Sequence, residues 1–460
     1  MRLESRAPLA AAAALTALIA AQVYLLTRAV HTRTVFDEGV YLLSIDVLGH
    51  GEALGREVFT SQGPLFYVLL RVIGFVFGVS VVGVRLGMVA IAAAGTLLAF
   101  LLGRRVSGTA GGLLCAGALV MAPKLSYLGA AIYADMPATV IAVAALYLAA
   151  NRLWIFAGAA LACATLVKVA ALTAAPTLVV LAVLEQPRAR RLAQVVVGYA
   201  AAVGVVALIF VRDLSGIWTG AVTYHLRGRN QIGLGARHEL VGFFSTQTPF
   251  FWFAVAGLLA SVVVWRRVWP YWLWAAATIW FITEYTPLRE NQLLALPFAV
   301  GIPAGLGLGA FAARMPLRLV GPAAAVAGLV VAAGWGQQLH LVTGGGFFEP
   351  ESPALVDAAA ELAKVTRPGQ LVISDQPIVA FLAHRQTPGQ YVDTASLRFD
   401  TRTLSDAEVQ RDTKRVAAVF AGRAFLTHDR LLAFFRQWFR HRTVVDGATI
   451  YYGSPLRSRR

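Results

Sequence analysis

The stretch Phe36–Tyr67, FDEGVYLLSIDVLGHGEALGREVFTSQGPLFY, follows the first long apolar run and is the most polar segment in the first quarter of the chain. It begins with two adjacent carboxylates, Asp37 and Glu38, a few residues beyond the apparent end of a membrane span. Ionisable groups at a membrane boundary are costly to hold there, so they mark candidate functional sites by default. We therefore expect the rest of the chain to build a pocket over this pair.

The composition indicates an integral membrane protein. Of the 460 residues, 58% are hydrophobic and 14% are charged. Repeated apolar runs of about twenty residues predict a mainly α, polytopic bundle of transmembrane helices. The two cysteines, Cys115 and Cys163, both lie in apolar runs, which predicts neither a disulfide framework nor a thiolate metal site. In this class of protein a net charge of +16 indicates contact with anionic lipid or phosphate, and no nucleic-acid partner is expected.

The apolar runs and the charges that flank them predict about eleven spans. Basic residues cluster in alternate short loops, which places the amino terminus in the cytoplasm and the carboxyl terminus outside the cell membrane. The apolar region 153–184 would extend roughly 48 Å as one helix, too long for a single span. Its two flanks are basic, so we expect it to cross twice, with Lys168 at the outer turn. The shorter run LFYVLLRVIGFVFG, after Gly63-Pro64, is expected to lie in the membrane interface.

The composition changes near residue 345. We predict a transmembrane domain over residues 1–340, whose first outer loop covers 31–84, and a small soluble α/β domain over 345–460 on the outer face. Strand-like QLVISD and TIYYG alternate there with helical patterns such as the amphipathic HDRLLAFFRQWFRHR. Asp375 and Asp393 each follow a strand-like run, a position that suits a functional site and a turn alike.

The predicted topology collects unusual polar residues at outer helix ends and in outer loops. No predicted span carries a charge near its centre, whereas a transporter is expected to hold such groups near the midplane of the bilayer. This arrangement favours an enzyme at the outer surface. Its candidate site residues are Asp37, Glu38, Asp135, Lys168, Tyr224, His225, Glu284, Arg289 and Asn291.

Three segments resemble the first outer loop of GT-C glycosyltransferases, namely FDEGVY, GEALGREVFTSQGPLFYVLL and FGVSVVGVRLGMVA. The resemblance is to the protein-O-mannosyltransferase-like family 39 and its aminoarabinose-transferase relatives, and it extends more weakly through YADMP, the Lys168 region and EYTPLRENQLLALPF. Such enzymes span the membrane many times, use polyprenyl-phosphate sugars and carry an Asp-Glu pair in this loop. The resemblance thus implies a polyprenyl-phosphate sugar donor and a glycan, lipid or protein acceptor. The chain lacks the large β-trefoil insertion of the eukaryotic mannosyltransferases.

Transfer of a sugar from a lipid phosphate to a hydroxyl requires a base for the acceptor and cations for the departing phosphate. A carboxylate at the interface suits the base, and the resemblance selects Asp37, with Glu38 orienting it or binding the donor. Lys168 and Arg289 suit the phosphate. The alternative for Asp37 and Glu38 is a pair of N-cap residues that begins an interfacial helix.

The other candidates also allow two interpretations. Asp135 precedes Met-Pro and an apolar run, which suits both a binding site and a capped helix start. Glu284 ends an outward-running helix, where it either pairs with Arg289 or binds substrate hydroxyls. Tyr224 and His225 either contact the sugar or phosphate, or lie solvated in an outer loop.

The cofactor and the function class also have alternatives. Asp37, Glu38 and Asp135 offer the oxygen ligands that Mg²⁺ or Mn²⁺ accepts, but no spacing requires a metal. A flippase or transporter for lipid-linked sugars would share the basic groove and the apolar spans. A noncatalytic cell-envelope assembly protein would share the outer domain.

Overall fold

The computed structural model describes residues 6–228, 236–245, 248–284, 288–344 and 351–453. The chain is mostly helical and forms two compact units. The first unit comprises Met1–Val30, Arg85–Ile209 and Gln231–Phe348, and the second comprises His31–Val84, Phe210–Asn230 and Glu349–Arg460. The second unit therefore takes in the first outer loop together with the carboxyl-terminal domain.

Helices make up most of both units. In chain order they are α1 (Arg6–Ala29), α2 (Phe36–Gly49), α3 (Pro64–Phe77), α4 (Val81–Val120), α5 (Leu125–Leu128), α6 (Asp135–Ala150), α7 (Trp154–Val167), α8 (Ala175–Leu184), α9 (Arg188–Ile209), α10 (Leu214–Trp218), α11 (Tyr224–Arg227), α12 (Ala236–Ser245), α13 (Thr248–Val263), α14 (Trp265–Glu284), α15 (Ala295–Ala312), α16 (Leu317–Thr343), α17 (Pro353–Val365), α18 (Pro377–Leu382), α19 (Ser396–Asp400), α20 (Asp406–Thr413) and α21 (Asp429–Trp438). The strands are β1 (Val372–Ser374), β2 (Ala418–Ala421), β3 (His441–Val445) and β4 (Ala448–Tyr452).

The long apolar helices confirm a multi-pass membrane protein. Within the described part of the chain, five helices are long and apolar enough to span a membrane, and a sixth is counted if the bent pair His238–Ser245 and Thr248–Val263 forms one span. The predicted count of about eleven is not confirmed. Helices α6 and α7 have 16 and 14 residues. At 1.5 Å per residue they reach roughly 21–24 Å, less than the ~30 Å of a bilayer core.

A sharp reversal divides α4 into two segments. Gly108 has φ 78° and ψ −178°, a conformation that only glycine adopts readily. The segments then pack so closely that a Cβ on Gly103 would lie 2.7 Å from the carbonyl oxygen of Gly111 and 2.9 Å from the Cys115 sulfur. The reversal at Gly108 therefore lets the two apolar segments of α4 pack against each other at their glycines.

The apolar region 153–184 is broken at Lys168, as predicted. Lys168 is extended, with φ −153° and ψ 129°, and separates α7 from a 3₁₀ helix over Val169–Ala174 that leads into α8. The break leaves the lysine side chain at the end of one apolar helix and the beginning of the next. That it faces the outer side of the membrane stays a prediction.

The carboxyl-terminal part of the second unit is the predicted α/β domain. Its sheet has the order β1-β2-β4-β3, in which β1 pairs parallel with β2 while β4 runs antiparallel to both of its neighbours. Strand β3 was missed, because its first residues read as the end of an amphipathic helix. That helix, α21, ends at Trp438, and β3 and β4 form a hairpin. Its two-residue turn, Asp446-Gly447, has both φ angles positive, as a type I′ turn requires.

The first outer loop forms two helices in the second unit. α2 packs against α18 of the carboxyl-terminal domain. α3 has the bounds expected for the short apolar helix after Gly63, and it exposes apolar side chains, among them Val72, Phe75 and Val76. An interfacial position for α3 remains a prediction, and these exposed side chains support it.

Replacing Gly103 by alanine tests the packing across the reversal. The added Cβ would overlap backbone and sulfur atoms, so we expect a loss of about 1–3 kcal/mol of unfolding free energy, although alanine improves helix propensity by about 1 kcal/mol. Gly204→Ala is the matched control, since a Cβ there meets nothing within 4 Å. The measurement is the apparent Tm of each variant in detergent. Equal Tm values for the two variants would contradict the close approach.

Candidate functional site

Three of the predicted site residues form a polar cluster in the first unit. Asp135 is the first residue of α6 and only 4% exposed. Its Oδ2 accepts hydrogen bonds from Lys168 Nζ at 2.7 Å and from Asn291 Nδ2 at 2.8 Å. The beginning of α6, the break after α7 and the 3₁₀ turn before α15 thus converge at one carboxylate.

Burial explains why these residues pair. An ammonium among apolar helices is costly unless an opposite charge and further hydrogen bonds compensate it. Asp135 makes no capping hydrogen bond to its own helix, so the capping alternative is wrong for its side chain. Its position in the first turn of α6 still suits a carboxylate, because the helix dipole is positive there.

Asn291 reaches the cluster from a short 3₁₀ helix that precedes α15. Residues Glu290–Leu294 form this 3₁₀ helix. The Gln292 side chain accepts the backbone N–H of Arg289 at 3.0 Å at its beginning.

A small cavity lies beside Asp135 and Lys168, and Thr139, Thr173 and Trp274 are among the side chains that line it. Among the described residues, no group of three or more His, Cys, Asp or Glu side chains could hold a metal ion.

A second polar cluster, which the sequence did not predict, adjoins the first through Glu290. Its Oε1 accepts hydrogen bonds from Lys124 Nζ at 2.6 Å and from Tyr127 Oη at 2.7 Å, and Glu239 lies 3.8 Å from the same lysine. Lys124 has a left-handed backbone, with φ 62°, which costs a non-glycine residue conformational energy and is often found at functional sites. The available signal was the isolated Lys124 near the end of an apolar run.

Glu284 and Arg289 lie at helix ends and are exposed. Glu284 ends α14, as predicted. Between these two residues the structure shows no ion pair, so the interpretation of Glu284 as a partner of Arg289 is not supported. Residues 285–287, which belong to the motif EYTPLRENQLLALPF, lie outside the described residues.

Asp37 and Glu38 lie in the first turn of α2, in the second unit. The N-cap residue is Val35, so the pair does not occupy the cap position that the alternative required. Glu38 nevertheless caps the helix from its third position, because its Oε2 accepts the backbone N–H of Val35 at 3.0 Å. Glu38 is fully buried, whereas Asp37 is half-buried. These different environments fit the expectation that the two carboxylates do not share one proton.

Tyr224 and His225 hold the first outer loop. The buried Tyr224 ring packs edge-to-face against Phe59, with ring centroids 5.4 Å apart. His225 Nε2 donates a hydrogen bond to the Ser61 carbonyl oxygen at 2.7 Å. His225 is therefore packed against the chain instead of solvated in a loop.

Asp375 and Asp393 of the carboxyl-terminal domain are both buried. Asp375 follows β1, as predicted, whereas the residues before Asp393 form a 3₁₀ helix over Gly389–Tyr391 and not the predicted strand. Asp375 accepts backbone N–H groups from Gly422, Arg423 and Phe425, each at 2.8 Å. Burial raises the pKa of Asp375 to about 6, while these three hydrogen bonds act in the opposite direction. Asp375 thus anchors the loop that follows β2.

A double-mutant cycle tests the buried pair in the first cluster. Lys168→Met or Asp135→Asn alone leaves an uncompensated partner and should cost about 3–5 kcal/mol of unfolding free energy. The double variant should cost less than the sum of the two, by about 0.5–3 kcal/mol. Lys364→Met, which removes an exposed partner of Glu361, is the control and should cost under about 1 kcal/mol. The readout is the apparent Tm in detergent, and additive losses would show that the two side chains do not interact.

Comparison with known proteins yields one family match. Residues 61–214 match the family model described as dolichyl-phosphate-mannose-protein mannosyltransferase. None of the curated proteins matches the chain.

Solved structures with a similar fold cover nearly the whole chain. The crystal structure of ArnT from Cupriavidus metallidurans bound to undecaprenyl phosphate has a TM-score of 0.69 and 16% identity, covering 95% of this chain and 97% of that chain. Its apo state has the same TM-score and 17% identity, covering 96% and 98%. The archaeal oligosaccharyltransferase AglB from Archaeoglobus fulgidus, in complex with an inhibitory peptide and a dolichol-phosphate, has a TM-score of 0.56 and 14% identity, covering 97% and 74%. The chain is thus a multi-pass membrane protein with the fold of the GT-C superfamily of glycosyltransferases.

Proposed function

We propose that the chain is a membrane glycosyltransferase that moves a sugar from a polyprenyl-phosphate donor to an acceptor hydroxyl on the exoplasmic side. The observation that carries this proposal is the buried cluster of Asp135, Lys168 and Asn291, in a fold shared with a protein solved with undecaprenyl phosphate. A second protein of this fold was solved with a dolichol-phosphate and a peptide. The donor is therefore proposed to be a lipid phosphate, and the acceptor a glycan, lipid or protein.

Lys168 and Asn291 are proposed to bind the phosphate or the sugar that it carries. Negative charge accumulates on the phosphate as the bond to the sugar breaks, and fixed cations and N–H groups stabilise it. Asp135 holds the Lys168 ammonium at 2.7 Å, which orients the amine and leaves it further N–H donors. Arg289 is exposed, and no hydrogen bond or ion pair of its side chain occurs in the described part of the chain, so its guanidinium is available to a second phosphate oxygen.

Asp37 is proposed as the general base. It takes the proton from the acceptor hydroxyl while that oxygen bonds to the anomeric carbon and the polyprenyl phosphate leaves with the electrons of the broken bond. Glu38 is buried and engaged with the backbone of Val35, which suits an orienting role. Glu284, Tyr224 and His225 are proposed as further substrate contacts.

The positions of charged residues favour this proposal over a transporter or flippase. In the five long apolar helices of the described chain, every Asp, Glu, Lys and Arg lies within four residues of a helix end or of Gly108. A transporter is expected to place such groups near the middle of the bilayer. The proposed orientation puts the amino terminus in the cytoplasm and the carboxyl-terminal domain outside.

A transfer assay separates the two function classes. Purified protein in detergent is given a panel of radiolabelled, short-chain polyprenyl-phosphate sugars together with acceptor extracts. A transferase should release polyprenyl phosphate and label an acceptor with one of the donors. A flippase should bind a donor without breaking its bond to the sugar, and that result would overturn the proposal.

Asp37→Asn tests the base in the same assay. The amide keeps the size of the side chain but cannot accept a proton, so turnover should fall by about 10²–10⁴-fold while donor binding persists. Glu38→Gln is the matched control and should lose less, because an amide oxygen can still accept the Val35 N–H. A folded Asp37→Asn protein with near-normal turnover would falsify the base assignment and make Glu38 the next candidate.

A further inference from the structure

The turn that carries Asp37 is contacted on three sides by the carboxyl-terminal part of the second unit. Before it, the backbone N–H of Thr34 donates to the Glu351 carboxylate at 2.9 Å, and the Thr34 hydroxyl donates to the same oxygen. Beside it, the Arg423 guanidinium lies over the Phe36 ring, 4.2 Å from the centroid. These contacts fix the residues that immediately precede Asp37.

The third contact is a close approach of α2 to α18. A Cβ on Gly39 would lie 2.7 Å from the backbone nitrogen of Ile378 and 3.0 Å from its Cβ. No residue larger than glycine fits there without moving one of the two helices. Residues 34, 36 and 39 therefore bracket Asp37 with contacts to one domain.

Arg423 is itself fixed by a buried anchor. Asp375 accepts the backbone N–H groups of Gly422, Arg423 and Phe425, which locks the loop after β2. The exposed Arg423 side chain thus extends to Phe36 from a fixed backbone position. The anchor connects the sheet of the carboxyl-terminal domain to the first turn of α2.

The loop that follows α2 is attached to the same domain. Arg398, only 3% exposed, lies over the Phe59 ring at 3.8 Å from its centroid. The Glu52 carboxylate accepts the backbone N–H of Gly389 at 3.0 Å, and the Phe59 N–H donates to the Gly389 carbonyl at 3.1 Å. The domain thus holds the first outer loop at both ends of α2.

We propose that the carboxyl-terminal domain positions the proposed base: Arg423, Ile378 and Glu351 are positioning residues that hold the Asp37 turn in the geometry for proton transfer. The inference rests on the proposed function of Asp37. A base must lie within hydrogen-bond reach of the acceptor hydroxyl, and a displacement of about 1 Å can cost about 10²-fold in rate. A domain that only stabilised the fold would leave the turnover of the folded protein unchanged.

The experiment compares two variants of the full chain that leave Asp37 in place. Arg423→Gln removes the cation over Phe36, and Gly39→Ala pushes α2 from Ile378 while improving the helix propensity of α2. We expect kcat per folded protein to fall by about ten- to a hundredfold, with KM for the donor changed by less than about twofold. Backbone hydrogen exchange over residues 34–40 should become faster in both. Arg423→Lys keeps a cation over the ring and should recover part of the lost kcat.

Two controls separate positioning from general destabilisation. Arg430→Gln changes an exposed arginine of α21 in the same domain, and Gly328→Ala adds a Cβ that meets nothing within 4 Å. Both control variants should keep the wild-type kcat and the wild-type rate of backbone hydrogen exchange over residues 34–40. Faster exchange with unchanged kcat in Arg423→Gln and Gly39→Ala overturns the proposal, because the domain would then only stabilise the loop. Lower kcat with unchanged exchange also overturns it, because Arg423 would then act on the substrate.

The same measurements keep this proposal distinct from the base assignment. If Asp37→Asn retains its turnover, the base assignment fails whatever Arg423→Gln does. If Asp37→Asn loses turnover while Arg423→Gln and Gly39→Ala behave as wild type, only the positioning role fails.

Discussion

The ion pair between Lys168 and Asp135 is the interaction on which the polar site of the first unit depends. An unpaired ammonium or carboxylate at this degree of burial would be strongly unfavourable, so each of the two charges requires the other. Lys168 lies 33 residues from its partner and Asn291 lies 156 residues from it. One buried carboxylate therefore joins three helix ends. Because adjacent Glu290 binds Lys124 and Tyr127, the polar network continues beyond the residues that the sequence indicated.

The second unit depends on a different constraint, the attachment of the first outer loop to a small mixed sheet. Asp375 and Arg398 are the buried groups that make this attachment rigid, one through three backbone N–H groups and the other through carbonyl oxygens, including those of Asp393 and Thr403. Burial lowers the pKa of Arg398, because the buried guanidinium loses solvation. A surface loop with so many fixed partners has little freedom. Such rigidity suits the role of general base that we propose for Asp37.

Several features were predictable because they are local. The lengths of apolar runs indicated a helical membrane protein, and the apolar helix Pro64–Phe77 has the bounds that Gly63-Pro64 and its length implied. The break at Lys168 followed from a run too long for one span. Other local signals were misinterpreted. The Asp446-Gly447 pair marked a hairpin, yet the amphipathic pattern before it led to a longer helix than α21 proves to be. The predicted count of about eleven spans is not confirmed, because helices such as α7 are apolar but shorter than a bilayer core.

The sequence by itself determined that this protein is a multi-pass helical membrane protein and that its unusual polar residues lie at helix ends. It could do so because hydrophobic runs, charges and turn residues act over a few positions along the chain. Only the tertiary structure decided that Asp135 binds Lys168 instead of capping α6 and that Gly39 packs against Ile378. These contacts join residues far apart in the chain or depend on which side chains are buried. Burial and close packing are set by the assembled unit, and no local pattern records them.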